Sequence, residues 1–252
     1  MVGFFNSIFN LPQASIIDKK MPKLVLSKNF PLSASEKKLL TFIDAIRVIA
    51  ILKPSNSNII AVKTDAYDYP EIHLMSITLS GNVLREYADR CLSLVQKYLP
   101  LQIVLIVEDN HEFIINVCDK RINQVEKNKR TIEKSYTTSI LSKLYKNEIT
   151  TEFFKTISFE KLHKTDLQTT YNSYIQAFVN FKTANITGSY RVRTKTRTQE
   201  DMVLLAQIEE IEKEIISLKN KIKKEKQLNR KVALNIEIKQ RKIKIEQIKA
   251  KL

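Results

Sequence analysis

Positively charged side chains at short, regular spacing are the residues of this sequence best suited to bind phosphate groups. One run, Arg191, Arg193, Lys195 and Arg197, alternates with Val and Thr. In an extended segment these four side chains would share one face and could contact successive phosphates, releasing bound counterions. A solvated linker explains the same run equally well.

A second basic group lies between two apolar segments of the C-terminal tail. It consists of Lys221, Lys223, Lys224, Lys226, Arg230 and Lys231. DNA or RNA phosphates, a partner protein and bulk solvent are all open as its surroundings. No aromatic residue lies in the tail, so stacking on nucleic-acid bases is not expected. The pattern therefore favours binding that does not depend on base sequence.

The acidic residues do not form a metal-dependent nuclease motif. Such a site needs an acidic residue followed, on the next strand, by Glu-x-Lys or Asp-x-Lys, which hold Mg²⁺ and position a water. The triplets 18–20 and 36–38 have these letters, but they fall in an N-terminal arm and at a helix start. Asp65, Asp68 and Glu71 form a loose acidic cluster before a strand, and loop acidity explains them better.

Other catalytic signatures are also missing from the sequence. His73, His111 and His163 are too scattered to suggest a shared metal. There is no glycine-rich phosphate loop, no Gly-x-Ser-x-Gly elbow and no Cys-x-x-Cys. We therefore expect no catalytic residue, metal ligand or cofactor, and a role other than that of an enzyme. A nuclease with a degenerate metal site in the α/β domain is the rival.

The amino-acid composition limits which class of protein this can be. The 252 residues include 42 Lys and Arg against 27 Asp and Glu, a net charge of +15 that attracts polyanions. A general preference for lysine at the surface would give the same excess. Cys91 and Cys118 lie in apolar patterns and are expected to be buried free thiols. The start of the chain lacks signal-peptide features, and no apolar run is long enough to span a membrane, so we expect a cytoplasmic protein.

The first two thirds of the chain predict an α/β (α+β) fold, a small mixed sheet with flanking helices. Apolar segments predict strands over 72–79, 101–107 and 113–118, and a broad apolar face predicts a helix over 83–99. Ser33 and Glu36 have capping-box spacing before an apolar stripe that continues to Ile46, which predicts another helix. Further predicted elements are strands at 48–52 and 59–63 and a helix at 166–182.

These elements suggest four regions. Residues 1–32 are expected to be an irregular arm rich in proline, 33–160 an α/β domain, and 161–200 a helix followed by a basic linker. Residues 201–252 are expected to form a helical hairpin or coiled coil.

Two apolar seams with spacings of four and three residues carry the clearest pattern in the tail. We interpret their members as partner-binding residues: Ile208, Ile211, Ile215, Leu218, Ile222, Leu234, Ile238, Ile245 and Ile248. The seams differ in phase, and a polar segment separates them. Residues 201–214 carry five acidic residues against one basic, and 239–252 carry six basic against one acidic. An antiparallel hairpin turning near Gln227 would pair these halves, as would a continuous helix in an antiparallel dimer.

The sequence also resembles a bacterial family known as domain of unknown function 4391. The resemblance lies in residues 9–12, 17–23, 167–175 and, above all, 224–235, and it covers nearly the whole chain. It is weakest over 183–200. The resemblance implies a setting beside DNA methyltransferases and helicases in restriction-like or antiphage systems, and it implies no catalytic residues.

From the residues and the resemblance together we expect a non-catalytic accessory or scaffold subunit of a bacterial DNA-processing complex. A helicase or methyltransferase subunit is the expected protein partner, and DNA is a second ligand left open. Beside the nuclease, a self-assembling coiled-coil protein whose charge merely keeps it soluble is the other alternative.

Overall fold

The structure is a computed structural model that describes residues 2–252. The chain divides into two compact units, one that ends at Phe178 and one from Val179 to Leu252. The helices are α1 (Val2–Phe9), α2 (Lys23–Asn29), α3 (Ala34–Leu39), α4 (Pro54–Ser57), α5 (Leu84–Tyr98), α6 (Glu148–Ile157), α7 (Leu167–Thr187), α8 (Lys195–Lys224) and α9 (Leu228–Lys249). The strands are β1 (Ile16–Met21), β2 (Ile43–Leu52), β3 (Val62–Lys63), β4 (Asp68–Tyr69), β5 (Ile72–Leu79), β6 (Gln102–Glu108), β7 (Glu112–Ile122), β8 (Arg130–Thr137) and β9 (Leu141–Ser142).

The first unit is built on a mixed sheet in the order β1-β2-β5-β6-β7-β8, with β9 beside β7. The connection through α5 makes β5 and β6 parallel, and the other neighbours in this order are antiparallel. β5 and β6 are buried along nearly their whole length because helices cover both faces of the sheet. The predicted α/β class, with a mixed sheet and flanking helices, is confirmed.

Two apolar layers hold the helices on this sheet. On one face α5 packs Cys91 and Val95 against strand residues such as Ile77 and Leu105. On the other face, aromatic side chains of α1 and α6 meet Phe113 of β7. The Tyr171 hydroxyl of α7 donates to the Ile103 and Cys118 carbonyls.

Several local predictions were wrong. The predicted arm over 1–32 is not irregular in its described part, residues 2–32, because it contains α1, β1 and α2, and β1 pairs antiparallel with β2. The helix that starts at the Ser33–Glu36 capping box ends at Leu39, and Ile46 lies in β2. The apolar residues up to Ile46 are compatible with either a helix or a strand. They form a strand from Ile43 onward because β2 pairs with β5. Residues 130–137, for which no strand was predicted, form β8.

The second unit contains the end of α7 followed by α8 and α9, which are joined by residues 225–227. The predicted linker over 183–200 is shorter than expected, because α7 continues to Thr187 and α8 begins at Lys195. The Thr194 hydroxyl accepts the Arg197 N–H and caps the start of α8.

Candidate functional site

The α8–α9 hairpin is closed by an apolar seam. Ile211 and Ile215 of α8 belong to one buried cluster with Ile238 and Ile245 of α9. The helix is interrupted at residues 225–227, so the continuous helix considered from the sequence is excluded and the hairpin is confirmed. Burial of this seam supplies the main attraction between the two helices.

An ion pair joins the two antiparallel helices. Glu214 of α8 accepts a hydrogen bond from Arg241 Nε of α9 at 2.6 Å. At the turn, Glu225 accepts the Lys226 and Gln227 N–H groups at 2.7 and 2.9 Å. The hydrogen bonds from Gln227 and Lys226 lower the pKa of Glu225. The acidic half of α8 therefore lies beside the basic half of α9, as the charge pattern predicted.

A buried carboxylate holds the open end of the hairpin. Asp201 of α8 is fully buried and forms ion pairs with Arg193 at 3.0 Å and Arg197 at 3.1 Å. Both guanidinium groups also donate to carbonyls at the end of the chain, Arg193 to Leu252 O and Arg197 to Lys251 O, each at 2.5 Å. Burial raises the pKa of Asp201, and the charges of Arg193 and Arg197 oppose that rise.

This arrangement overturns part of the predicted phosphate-binding run. Lys195 and Arg197 lie in the first turn of α8, so the four basic residues do not form one extended face. Arg193 and Arg197 are occupied by Asp201 and backbone carbonyls, because two buried carboxylate oxygens require a positive partner. Arg191 and Lys195 are exposed.

The hairpin tip, residues 219–231, carries the strongest positive charge of the hairpin. It contains the six predicted basic residues together with Lys219, against a single acid, Glu225. Among the described residues, the ion pair formed here is that of Arg230 with Glu225, at 4.0 Å. An open cleft of about 460 Å³ lies at the tip, lined by Lys221, Lys224, Glu225, Arg230, Ala233 and Leu234. The tip lysines are thus brought together, and all are exposed except Lys231, which is half-buried.

The residues predicted to bind a partner face each other instead. Ile208, Ile211, Ile215, Leu218, Ile238, Ile245 and Ile248 are buried within the hairpin, and Ile222 and Leu234 pack partly buried against them. The two amphipathic helices of one chain bury each other's apolar faces here, and a role of these residues in binding a partner stays a prediction.

A second apolar face on α9 was missed. Leu228 is 74% exposed, Val232 50%, Ile236 54% and Ile243 51%. We call these four residues the outer stripe. Their spacing of four, four and seven places them on one side of the helix, opposite Arg241. The four-residue spacing was visible in the sequence, but the stronger inner seam on the same helix concealed it.

The acidic cluster considered for a nuclease is dispersed among other contacts. Asp68 pairs with Arg130 at 2.9 Å and Glu71 with His73 at 2.7 Å, while Asp65 is exposed. Within residues 2–252, no group of three or more His, Cys, Asp or Glu side chains is arranged to hold a metal ion.

A buried ion pair missed in the sequence lies at the carboxyl ends of the parallel strands. Lys143 Nζ is 2.6 Å from Glu108 Oε2 and also donates to the Asp109 carbonyl. Thr78 at the end of β5 donates to the other Glu108 oxygen at 3.2 Å. These contacts tie β9 and the following loop to the centre of the sheet.

Comparison with known proteins gives one match. The sequence profile of a family described as domain of unknown function 4391 matches residues 9–245. The chain belongs to this family. No curated protein and no solved structure matches it significantly. The matched range includes residues of both units and the hairpin tip. In the described part of the chain, no helix is long and apolar enough to cross a membrane.

Proposed function

We propose that this protein is a non-catalytic accessory subunit of a DNA-processing assembly in the bacterial cytoplasm, and that its hairpin tip binds nucleic-acid phosphates. The observation that carries the proposal is the density of exposed, unneutralised lysines at the tip, beside an open cleft. The restriction-like or antiphage setting, with a helicase or methyltransferase as partner, is part of the proposal and rests on the family resemblance.

The chemistry of the tip favours backbone contacts over base contacts. Lysine ammonium groups on flexible stems act as point charges toward phosphates. The absence of aromatic residues from α8 and α9 removes the side chains that stack on bases. Affinity at this site would come from counterion release and would not discriminate between sequences.

This proposal is tested by measuring the affinity for two unrelated 30-base-pair duplexes by fluorescence anisotropy over a range of NaCl concentrations. We expect similar affinity for both duplexes and a logarithmic salt slope of roughly −0.9 per phosphate contacted. The variant K221Q/K223Q/K224Q/K226Q should bind at least tenfold more weakly at low salt and show a shallower slope, because it loses phosphate contacts.

A matched variant separates the effect of where the lysines lie from the effect of the total charge. K19Q/K20Q/K37Q/K38Q removes the same four charges from exposed positions in the first unit and should bind nearly as the unmodified protein does. Equal weakening of both variants would show that net charge, not the tip, drives binding. Cleavage of the duplexes in Mg²⁺ or Mn²⁺ would overturn the non-catalytic assignment and favour the nuclease.

A further inference from the structure

The outer stripe of α9 has no partner within the described chain. It runs from Leu228 to Ile243, about 22 Å along the helix axis, or roughly four turns. Single exposed apolar residues are ordinary, but four large aliphatic side chains at helical spacing make a strip along one side of the helix. The opposite side of α9 is already packed against α8, so the strip is a second, separate apolar face.

The edges of the outer stripe differ in charge. Lys231, Lys242 and Lys249 follow one edge, and Asn229, Gln240 and Gln247 follow the other. Lys239 lies within the stripe itself, and Glu246 pairs with Lys249 at 2.9 Å. The strip therefore presents an apolar surface with one basic edge and one uncharged polar edge.

We propose that the outer stripe docks an amphipathic helix of a partner protein whose apolar seam is flanked by Asp and Glu. Helices pack along apolar strips of this length, and opposite charges at the flanks select the partner and its alignment. The inference rests on the accessory role proposed above and identifies the surface that would hold the partner. It involves a different face of the hairpin from the basic tip.

A second copy of this chain fits the stripe less well. In an antiparallel two-fold pair of α9 helices each basic edge would lie against the same edge of the other copy, and in a parallel pair it would lie against the uncharged edge, so neither pair offers it an opposite charge. The outward face of α8 is not a substitute, because it carries Ile216 among polar and charged residues such as Lys213 and Ser217. Charge thus favours an acidic helix over self-association.

The test uses the full chain and two labelled 21-residue helix-forming peptides. Both peptides carry leucine at heptad positions a and d, and their flanking positions are all Glu in one and all Lys in the other. We expect the Glu peptide to bind at least tenfold more tightly than the Lys peptide. I236Q/I243Q should weaken its binding at least tenfold, because it shortens the apolar strip and leaves the charge unchanged.

The matched variant V203Q/I216Q changes two similarly exposed aliphatic residues of α8 and should leave peptide affinity within twofold. Circular dichroism should show both variants folded, since these side chains are exposed. The tip variant K221Q/K223Q/K224Q/K226Q should retain most peptide binding. The nucleic-acid test of the tip and the peptide test of the outer stripe can then fail or succeed independently of each other.

Three results would overturn the proposal. If I236Q/I243Q binds the Glu peptide as well as the unmodified protein does, charge alone attracts the peptide. If light scattering shows a dimer that I236Q/I243Q dissociates, the occupant is a second copy. If I236Q/I243Q abolishes binding to phosphatidylglycerol vesicles but not to the peptide, the stripe is a membrane-surface helix.

Discussion

Lys120 on β7 is the most constrained charged residue of the first unit. Its side chain is fully buried, and its Nζ donates to the Leu99 and Leu101 carbonyls at 3.0 and 2.9 Å. Burial lowers the pKa of Lys120 to about 7. The amine therefore ties the loop between α5 and β6 to β7, and near neutral pH it exchanges between charged and neutral forms.

A pH series on K120M tests this assignment. In the unfolded chain Lys120 stays protonated to about pH 10.4, whereas the folded protein releases the proton above about pH 7. The unfolded state thus binds more protons, so this residue makes the protein more stable as pH rises from 7 to 8.5. The free energy of unfolding of the unmodified protein, minus that of K120M, should rise toward about 1.4 kcal/mol per pH unit.

Urea unfolding at pH 7.0, 7.75 and 8.5 measures this difference, with K19M at an exposed position as the control. Burial raises the pKa of Cys91 to about 12, and this cysteine is present in every variant, so its effect cancels. Burial also raises the pKa of Cys118 and the charge of Lys120 opposes that rise, so the Cys118 thiol stays protonated over this pH range with or without Lys120. A difference that does not change with pH would show that Lys120 keeps its proton in the folded protein.

The arginines around Asp201 show how far residue-level prediction reaches. The alternation from Arg191 to Arg197 suggested one extended face, but an (i, i+4) spacing joins Arg197 to Asp201 on a helix. That spacing was readable in the sequence. The contact of Arg193 with Leu252 was not, because it depends on the hairpin bringing together residues 59 positions apart.

Among the elements, the hairpin was the most predictable and the N-terminal arm the least. The seam of α8 and α9 repeats within each helix, so local sequence contains it. β1 and β8 pair with strands far along the chain or carry mixed polar residues, and such pairing leaves little local signal. The outer stripe was missed because the stronger inner seam lies on the same helix.

A cysteine pair tests the topology of the hairpin directly. Arg241 Nε lies 2.6 Å from Glu214 Oε2, so a short bis-maleimide reagent should join the two cysteines of E214C/R241C within one chain. K213C/R241C, whose first cysteine lies on the outward side of α8, should crosslink far less. Non-reducing electrophoresis and intact mass distinguish the products, and the native cysteines are both buried. Crosslinks found only between chains would contradict the hairpin.

Across the whole molecule, the positive charge is concentrated in the second unit. From Val179 to Leu252 there are nineteen basic and nine acidic residues, so this unit carries +10 of the total +15. Such an excess destabilises a folded unit by self-repulsion. Ion pairs such as Glu214–Arg241 reduce this repulsion inside the hairpin, but the tip has one acidic residue for seven basic residues. The surplus is consistent with a unit that meets an anionic or acidic partner.

The last prediction concerns the effect of salt on stability. Raising NaCl from 20 to 300 mM shortens the Debye length from about 20 Å to about 6 Å and so screens the long-range repulsion. Exposed ion pairs are weakened too, but each contributes only about 0.2–1 kcal/mol. We therefore expect the melting temperature to rise with NaCl.

Hydrogen exchange should slow by a larger factor in α8 and α9 than in the buried strands β5 and β6, since the surplus charge lies in the second unit. If the hairpin amides exchange faster at 300 mM, its ion pairs outweigh the repulsion, and the excess charge would no longer indicate that the second unit needs an anionic partner.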